Sequence, residues 1–212
     1  MIDDSDSVRT QAFGQANTLS PIDRFGVWLS GRRVRHEVGG LRGKDVADIG
    51  CGFNATFART LVGEAGSVTL VDVALKDDLK SIPVITAIEG VLPDVLDDLS
   101  PESFDVILCV SVLEHLWDPE ALLRAMRRLL RPGGLCLVNV PTWMGKRLLE
   151  FSAFRLGLSP AEEMDDHKRY YDPHDLWPLL VQAGFRPQDI RCRRHKFGLN
   201  TFARCAVPMS AP

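Results

Sequence analysis

The stretch that decides the fold is residues 46–54, VADIGCGFN, in which an apolar run leads into two glycines. The apolar run predicts a buried strand, and the spacing of apolar residues over 54–62 predicts a helix. Gly50 and Gly52 carry no Cβ, so the chain can turn sharply there and approach a ligand closely. A helix start would add unpaired N–H groups and a positive dipole end. This arrangement suits a nucleotide or amino-acid ligand at the carboxyl edge of a parallel sheet.

Two acidic residues make the glycine turn more informative, because glycine turns also occur for steric reasons alone. Asp48 precedes Gly50 by two residues, and Asp72 ends the next apolar run, residues 68–71. A carboxylate at the end of the second strand can accept hydrogen bonds from both hydroxyls of a ribose. The two acids therefore favour a nucleoside ligand.

Further segments follow the glycine turn in a fixed order. They are FDVILCV at 104–110, SVLEHL at 111–116, and RPGG at 131–134 before the apolar run LCLVNV. Together with the turn and Asp72, they resemble the class I S-adenosylmethionine-dependent methyltransferases of the small-molecule type over roughly residues 44–142. The resemblance implies S-adenosylmethionine as the cofactor. It also implies a Rossmann-like α/β fold, with a mostly parallel seven-stranded sheet, an antiparallel C-terminal strand and helices on both faces.

Length and composition predict a single domain at residues 21–212, after a polar and flexible N-terminus at 1–20. The 212 residues are 45% hydrophobic, enough for one core. The cofactor part is expected at about 44–142, with acceptor-binding elements at 21–38 and 143–175. The net charge of −3 argues against a nucleic-acid partner. Without a signal peptide or an apolar run of membrane length, we expect a cytoplasmic protein that does not insert into membranes.

Alternating strand and helix patterns predict a parallel sheet with right-handed crossovers. The predicted strands cover residues 46–49, 68–72, 84–87, 105–110 and 135–140, with two more between 190 and 207. The predicted helices cover 21–38, 54–62, 91–98, 119–130, 145–158 and 173–184. The five cysteines are scattered and contain no C-x-x-C pair, which favours buried, reduced thiols.

The resemblance also assigns cofactor-binding roles. It places four residues around the aminoacyl end of the cofactor: Asp48, Gly50, Cys51 and Gly52. Asp72 is expected to bind ribose, and Val73 to flank adenine. Val110 and Ser111 are expected to line the methionine side through backbone atoms. Many family members carry an adenine-binding acid before a leucine-proline pair. Here ungapped alignment on Leu92 and Pro93 puts Ile88 at that position. Either Glu89 reaches adenine from a shifted loop or a backbone group does so, and we favour Glu89.

Glu114 and His115 follow the fourth strand, at the edge where the transferred methyl group should lie. The first interpretation makes Glu114 an acceptor-binding residue and His115 a base with a pKa suited to neutral pH. The second makes His115 a residue that steadies the following helix. Some relatives, including quinone-biosynthesis and small-RNA methyltransferases, bind metal through Glu-x-x-Glu-His. Ser111 replaces the first glutamate here, so we predict no metal.

A second cluster, DDHKRYY at 165–171, is unusual for a simple connector. It resembles the His-x-x-x-Tyr segment that lies over the active site of many small-molecule methyltransferases. The resemblance makes His167 the preferred catalytic base, and Tyr170 and Tyr171 acceptor-binding residues. Trp143 would add an apolar wall. The alternatives are a solvated charged loop and a tryptophan of the core.

Two basic segments, 24–35 and 191–196, leave the acceptor class open. They could bind a phosphorylated or otherwise anionic small molecule, be solvated, or, in the tail, form the edge of a homodimer. The favoured function is methyl transfer to an oxygen of a biosynthetic intermediate such as a sugar, polysaccharide precursor, quinone or secondary metabolite. The alternatives are a non-catalytic cofactor- or partner-binding protein of the same fold, and an RNA methyltransferase.

Overall fold

A computed structural model describes residues 12–14, 21–147 and 168–209. Its centre is a seven-stranded sheet in the order β3-β2-β1-β4-β5-β7-β6. The strands are β1 (Asp45–Ile49), β2 (Ser67–Asp72), β3 (Ile85–Glu89), β4 (Phe104–Val110), β5 (Leu130–Pro141), β6 (Ile190–His195) and β7 (Asn200–Ala206). The helices of the described part are α1 (Pro21–Val38), α2 (Asp77–Lys80), α3 (Pro119–Leu129) and α4 (Pro173–Gln182), and residues 143–147 form a further helical turn.

The strand directions confirm the predicted fold class. Strands β1 to β5 pair in parallel, and β7 runs antiparallel to both of its neighbours, β5 and β6. Because parallel strands are buried on both faces, their apolar runs are nearly continuous. One face, the α1 side, packs Val46, Leu108 and Leu137 against α1. The other, the α3 side, packs residues such as Ile107 and Val138 against α3 and α4.

The predicted helix over 54–62 is wrong. The segment contains only a 3₁₀ turn at Ala58–Leu61. Ala55 has a φ of 42°, outside the helical region, and the segment is rich in aromatic and β-branched residues of low helix propensity. The Thr60 hydroxyl also donates to the carbonyl of Phe57, at 2.7 Å. A turn this short aligns few peptide dipoles, so the expected helix-dipole contribution to ligand binding is lost.

Other boundaries shift because of strand pairing. β3 extends to Glu89, and the helix predicted at 91–98 is reduced to a 3₁₀ turn at Asp94–Leu96. β5 begins at Leu130, so residues 131–134 form a bulge inside the strand rather than a turn before it. Of the helix predicted at 145–158, only 145–147 is described, and it is helical.

The N-terminal helix follows its prediction, because α1 spans Pro21–Val38 as the apolar spacing indicated. Ahead of it, residues 12–14 lie against the glycine turn. The Phe13 carbonyl accepts from the Phe53 N–H at 2.9 Å, and the Asn54 amide donates to the Gly14 carbonyl at 3.1 Å. Within the described residues, no helix combines the length and hydropathy that a membrane span requires.

Candidate functional site

The glycine turn is fixed by the end of β2. The N–H groups of Gly50 and Cys51 both donate to the Val71 carbonyl, at 2.7 and 3.3 Å. Gly50 and Gly52 have φ values of 71° and 75°, a region that side-chain-bearing residues rarely adopt. A Cβ on Gly50 would also overlap the side chain of Val112. Backbone conformation and space therefore both require glycine at position 50.

Asp72 ties the glycine turn to the second strand. One carboxylate oxygen accepts from the Gly52 N–H and the other from the Val73 N–H, each at 2.8 Å. A carboxylate offers about four acceptor positions, so the same group can hold the turn and accept from a ligand. The acid predicted to bind ribose, Asp72, is thus held in position by its hydrogen bond to the glycine turn.

Asp48 is a buried acid on the α1 side of the sheet, with 4% of its surface exposed. Burial, and then the negative charge of Asp72, raise the pKa of Asp48 to about 7. Burial disfavours the carboxylate, and a neighbouring negative charge adds to that cost. A positively charged ligand group beside these two acids would relieve both effects.

Glu89 lies beside Asp72 in the register between β2 and β3. It accepts a hydrogen bond from the Leu75 N–H at 2.7 Å and lies 3.1 Å from the Lys80 ammonium. These two contacts lower the pKa of Glu89. The carboxylate therefore holds the loop that contains the half-buried Val73, and its contact with adenine stays a prediction.

The end of β4 has a strained backbone. Ser111 has a φ of 57°, a conformation that residues with a Cβ adopt mainly where the surroundings enforce it. Its N–H donates to the carbonyl of Asn139 on β5, at 2.8 Å. Val110 is half-buried and Ser111 exposed, so the backbone at this position is accessible at the sheet edge.

Glu114 and His115 lie in the 3₁₀ turn Leu113–His115 that follows β4. Glu114 is 1% exposed, and its carbonyl accepts from the N–H groups of Lys168 and Arg169 at 2.7 and 3.3 Å. His115 is half-buried. These contacts bring the end of the 165–171 cluster to the edge at which β4 ends. The preferred base, His167, lies outside the described residues.

The structure brings two of the predicted acceptor-wall residues together. The rings of Trp143 and Tyr170 lie 5.5 Å apart, and the Lys146 ammonium is 5.6 and 5.3 Å from their centres. Tyr171 instead packs into the core on the α3 side, where its hydroxyl donates to the Leu113 carbonyl at 3.4 Å. Burial raises the pKa of Tyr171 to about 12.

Sequence reasoning missed two buried polar side chains, Asn139 and Ser30. Asn139 has no exposed surface, and neither its amide nitrogen nor its amide oxygen has a hydrogen-bond partner. Ser30 is 2% exposed, and its hydroxyl is also unpartnered. Most buried polar groups in proteins are paired, so an unpaired amide marks a place for water or a ligand. The sequence signal that could have identified Asn139 is the presence of an asparagine within the otherwise apolar run LCLVNV.

These two residues lie between α1 and the sheet, towards the carboxyl edge of the parallel strands. Side chains alternate along a strand, so Asn139 faces the same side as Leu137. Val34 belongs to the apolar cluster that contains Leu137, and Ser30 lies one helical turn before Val34. The Arg33 guanidinium lies 5.4 Å from the centre of the Phe202 ring, and Phe202 is opposite Asn139. Glu37 lies near Arg204, which is opposite Leu137. α1 therefore starts towards the carboxyl edge of the parallel strands, and Ser30 lies towards that edge.

One group of possible metal ligands occurs among the described residues. Ligand atoms of Asp172, His174 and Asp175 lie within 4.8 Å of one another at the start of α4. Exposed clusters of this kind are common in proteins without an ion, and Asp172 and Asp175 also form the capping box of the helix.

Comparison with known proteins identifies the family. Residues 28–189 match the family described as "Methyltransferase domain". The chain belongs to this family. It is 33% identical over 190 residues to the ubiquinone biosynthesis O-methyltransferase of Cupriavidus pinatubonensis, covering 84% of this chain and 72% of that protein. It is 29% identical over 171 residues to the protein of the same name from Idiomarina loihiensis, covering 71% of this chain and 65% of its relative.

A solved structure supports the same assignment at the level of the fold. A SAM-dependent methyltransferase from Archaeoglobus fulgidus superposes with a TM-score of 0.63 at 14% identity, over 88% of this chain and 100% of that one. The protein is thus a class I methyltransferase that uses S-adenosylmethionine. The residues present fit this cofactor, which carries an ammonium group and ribose hydroxyls. Two carboxylates, Asp48 and Asp72, lie on adjacent strands beside the glycine turn.

Proposed function

We propose that this methyltransferase transfers a methyl group to an oxygen atom of a quinone-biosynthesis intermediate. The observation that carries the proposal is the 33% identity, over 84% of the chain, to a protein named ubiquinone biosynthesis O-methyltransferase. The described geometry supports it, because buried polar groups without partners lie between α1 and the carboxyl ends of β4 and β5. Ligands of open parallel sheets bind at this edge.

The cofactor is held, in this proposal, by residues at the ends of β1, β2 and β4. Asp48 accepts from its ammonium group and Asp72 from its ribose hydroxyls. The proposed contacts at adenine and along the methionine are made by Val73 and Glu89, and by the backbone of Cys51, Gly52, Val110 and Ser111. Bound S-adenosylmethionine supplies a methyl group already activated on a sulfonium. The protein must therefore orient the acceptor and take its proton.

The acceptor lies, in this proposal, on the α1 side beside Asn139 and Ser30. An amide has both donors and an acceptor, so Asn139 can donate to one acceptor oxygen and accept from a hydroxyl. Ser30 supplies a hydroxyl from α1. Trp143 and Tyr170 form an aromatic wall. Positioning of this kind can lower a barrier by about 7–11 kcal/mol in favourable cases.

Proton removal falls to His167 or His115, with His167 preferred. A general base typically contributes about 10²–10⁴-fold, less than positioning can supply. Glu114 and Tyr171 remain proposed acceptor residues, although the described contacts of Tyr171 are with the core. Lys146 beside the aromatic wall supports an acceptor that carries negative charge.

Two further proposals concern assembly and location. β6 pairs only with β7, so its other edge is open within the described residues and can pair with a second copy to form a homodimer. Sedimentation at several protein concentrations tests this, since a monomer at all concentrations would contradict it. We also propose that the enzyme acts in the cytoplasm, which fractionation of cells that express it would test.

The acceptor proposal is tested with phenolic quinone precursors. We expect methyl transfer to an oxygen, and we expect Asn139→Leu to raise the KM for the acceptor by at least about tenfold, with S-adenosylhomocysteine affinity unchanged. Removing an unpaired buried amide should leave stability equal or higher. As a contrast, Thr201→Val removes a buried hydroxyl that donates to the Tyr171 carbonyl at 2.7 Å, and it should destabilise the fold.

Two results would contradict the proposal in different ways. Cofactor binding without methylation of any phenolic quinone precursor would reject the acceptor class. Normal acceptor KM for a folded Asn139→Leu variant would reject the acceptor position while leaving the reaction in place.

A further inference from the structure

We propose that a cavity between α1 and the β6–β7 pair binds the phosphate group of a small molecule. The cavity has a volume of about 160 Å³. The lining residues that carry the argument are Arg33, Glu37, Arg191, Arg193, Phe202 and Arg204. Four guanidinium groups therefore share a small space with one carboxylate. His36 also lines the cavity and would add positive charge when protonated.

Strand register brings the arginines together. Arg191 lies directly opposite Arg204, and Arg193 lies opposite Phe202. Because side chains alternate along each strand, the three strand arginines Arg191, Arg193 and Arg204 point to the α1 side, as Phe202 does. Arg33 reaches the same cavity from α1. Like charges directly opposite each other in an antiparallel pair destabilise the sheet. An anion between them would remove that cost.

The single acid of the described lining does not neutralise this charge. Glu37 lies 2.6 Å from the Arg33 guanidinium and 3.6 Å from the Nε of Arg204. The Nε of Arg33 is buried and has no acceptor. With His36 neutral, four arginines and Glu37 carry a net charge of +3 in this cavity, although the whole chain carries −3. The positive charge is a local feature of the fold.

Phosphate is the group that fits this chemistry. Guanidinium groups donate two parallel hydrogen bonds to phosphate oxygens, and several of them can surround a tetrahedral anion. A water occupies about 30 Å³ of liquid, so the cavity has room for a phosphate group and few other atoms. A small ligand is therefore favoured over a macromolecular one.

The cavity is separate from the cofactor residues. Arg204 is in the same row of the sheet as Asp48, three strands away, which corresponds to about 14 Å. Phe202 of the lining lies opposite Asn139, so the cavity adjoins the proposed acceptor position. Phosphate binding is measured without an acceptor, so the test does not depend on which acceptor the enzyme uses, and cofactor affinity serves as an independent control for folding.

Calorimetric titration of the full chain with inorganic phosphate and with pyrophosphate, at low ionic strength, tests the site. We expect binding that weakens as salt increases. The Arg191→Gln, Arg193→Gln double variant should weaken it by at least about tenfold, with unchanged S-adenosylhomocysteine affinity. Arg194→Gln is the matched control, because Arg194 is on the same strand but faces the other side. Equal loss in Arg194→Gln would show general surface charge and overturn the proposal.

A second variant makes the opposite prediction. Glu37→Gln removes the competing carboxylate, so the folded variant should bind phosphate several-fold more tightly. Weaker binding, or no binding of either probe to the wild-type chain at millimolar concentration, would overturn the inference. Binding to phosphatidylglycerol vesicles but not to pyrophosphate, lost in the double variant, would assign the cavity to lipid headgroups and also reject a small-molecule site.

Discussion

Replacing Asp48 with asparagine should stabilise the free protein and weaken cofactor binding. Asp48 has an ordinary pKa of 3.8 and a pKa of about 7 in the folded protein. One pKa unit corresponds to about 1.4 kcal/mol, so ionised Asp48 costs the folded state about 4 kcal/mol above pH 7. Asparagine resembles the neutral acid and carries no such cost.

The sign of the pH dependence follows from the raised pKa. A group whose folded-state pKa is raised favours folding when protonated, so its contribution is present below about pH 4 and is lost as pH rises through about 7. The stability advantage of Asp48→Asn should therefore grow from about 2 kcal/mol at pH 5 to about 4 kcal/mol at pH 8. Urea unfolding of both proteins, without cofactor, measures the difference.

Asp45, on the same strand, provides a control of opposite sign. Hydrogen bonds from Ser67 and Arg131 lower the pKa of Asp45. Its carboxylate therefore stabilises the fold above the ordinary pKa, and this contribution is lost in acid. Asp45→Asn should be less stable than the wild type at pH 8, with a difference that shrinks as pH falls.

The functional half of the prediction is a loss of cofactor affinity. If Asp48 accepts from the cofactor ammonium, Asp48→Asn should weaken S-adenosylmethionine binding at least about tenfold at pH 8, because a charge-assisted hydrogen bond is lost. A pH-independent stability difference would refute the electrostatic reasoning. Unchanged affinity would refute the assigned role.

Three other changes test the remaining assignments. Asp72→Ala should weaken S-adenosylmethionine binding at least about tenfold in calorimetry, and normal affinity would remove Asp72 from the ribose site. Gly50→Ala should lower unfolding free energy by on the order of 1–3 kcal/mol, because φ is 71° there. Gly63→Ala is the control, because a Cβ at position 63 would have no atom within 4 Å. Equal losses of unfolding free energy in the two variants would contradict the argument. His167→Ala and His115→Ala test whether the reaction uses a general base or depends on positioning of the acceptor alone. Loss of the base should lower kcat on the order of 10²-fold with normal S-adenosylhomocysteine affinity. Near-normal kcat in both would leave positioning to carry the reaction.

The sequence by itself determined the fold class and the cofactor. Alternating strand and helix patterns depend on local spacing, and the bounds of α1 and the order of β1 to β5 follow from them. The glycine turn was equally readable, because Gly50 is required by its own backbone conformation. Asp48 lies two residues before Gly50, and Asp72 ends the next apolar run, so a parallel pairing of the two predicted strands places both acids at the same edge of the sheet.

Only the tertiary structure decided features that depend on the pairing of distant segments. The 54–62 helix failed because spacing does not determine backbone conformation in a short segment, and residues 131–134 became a bulge through the register of β4 with β5. The position of Asn139 on the α1 side, and the pairing of Arg191 with Arg204, depend on contacts between residues far apart in the chain. Such contacts are fixed by strand register and helix packing, which a single sequence does not encode in any local pattern.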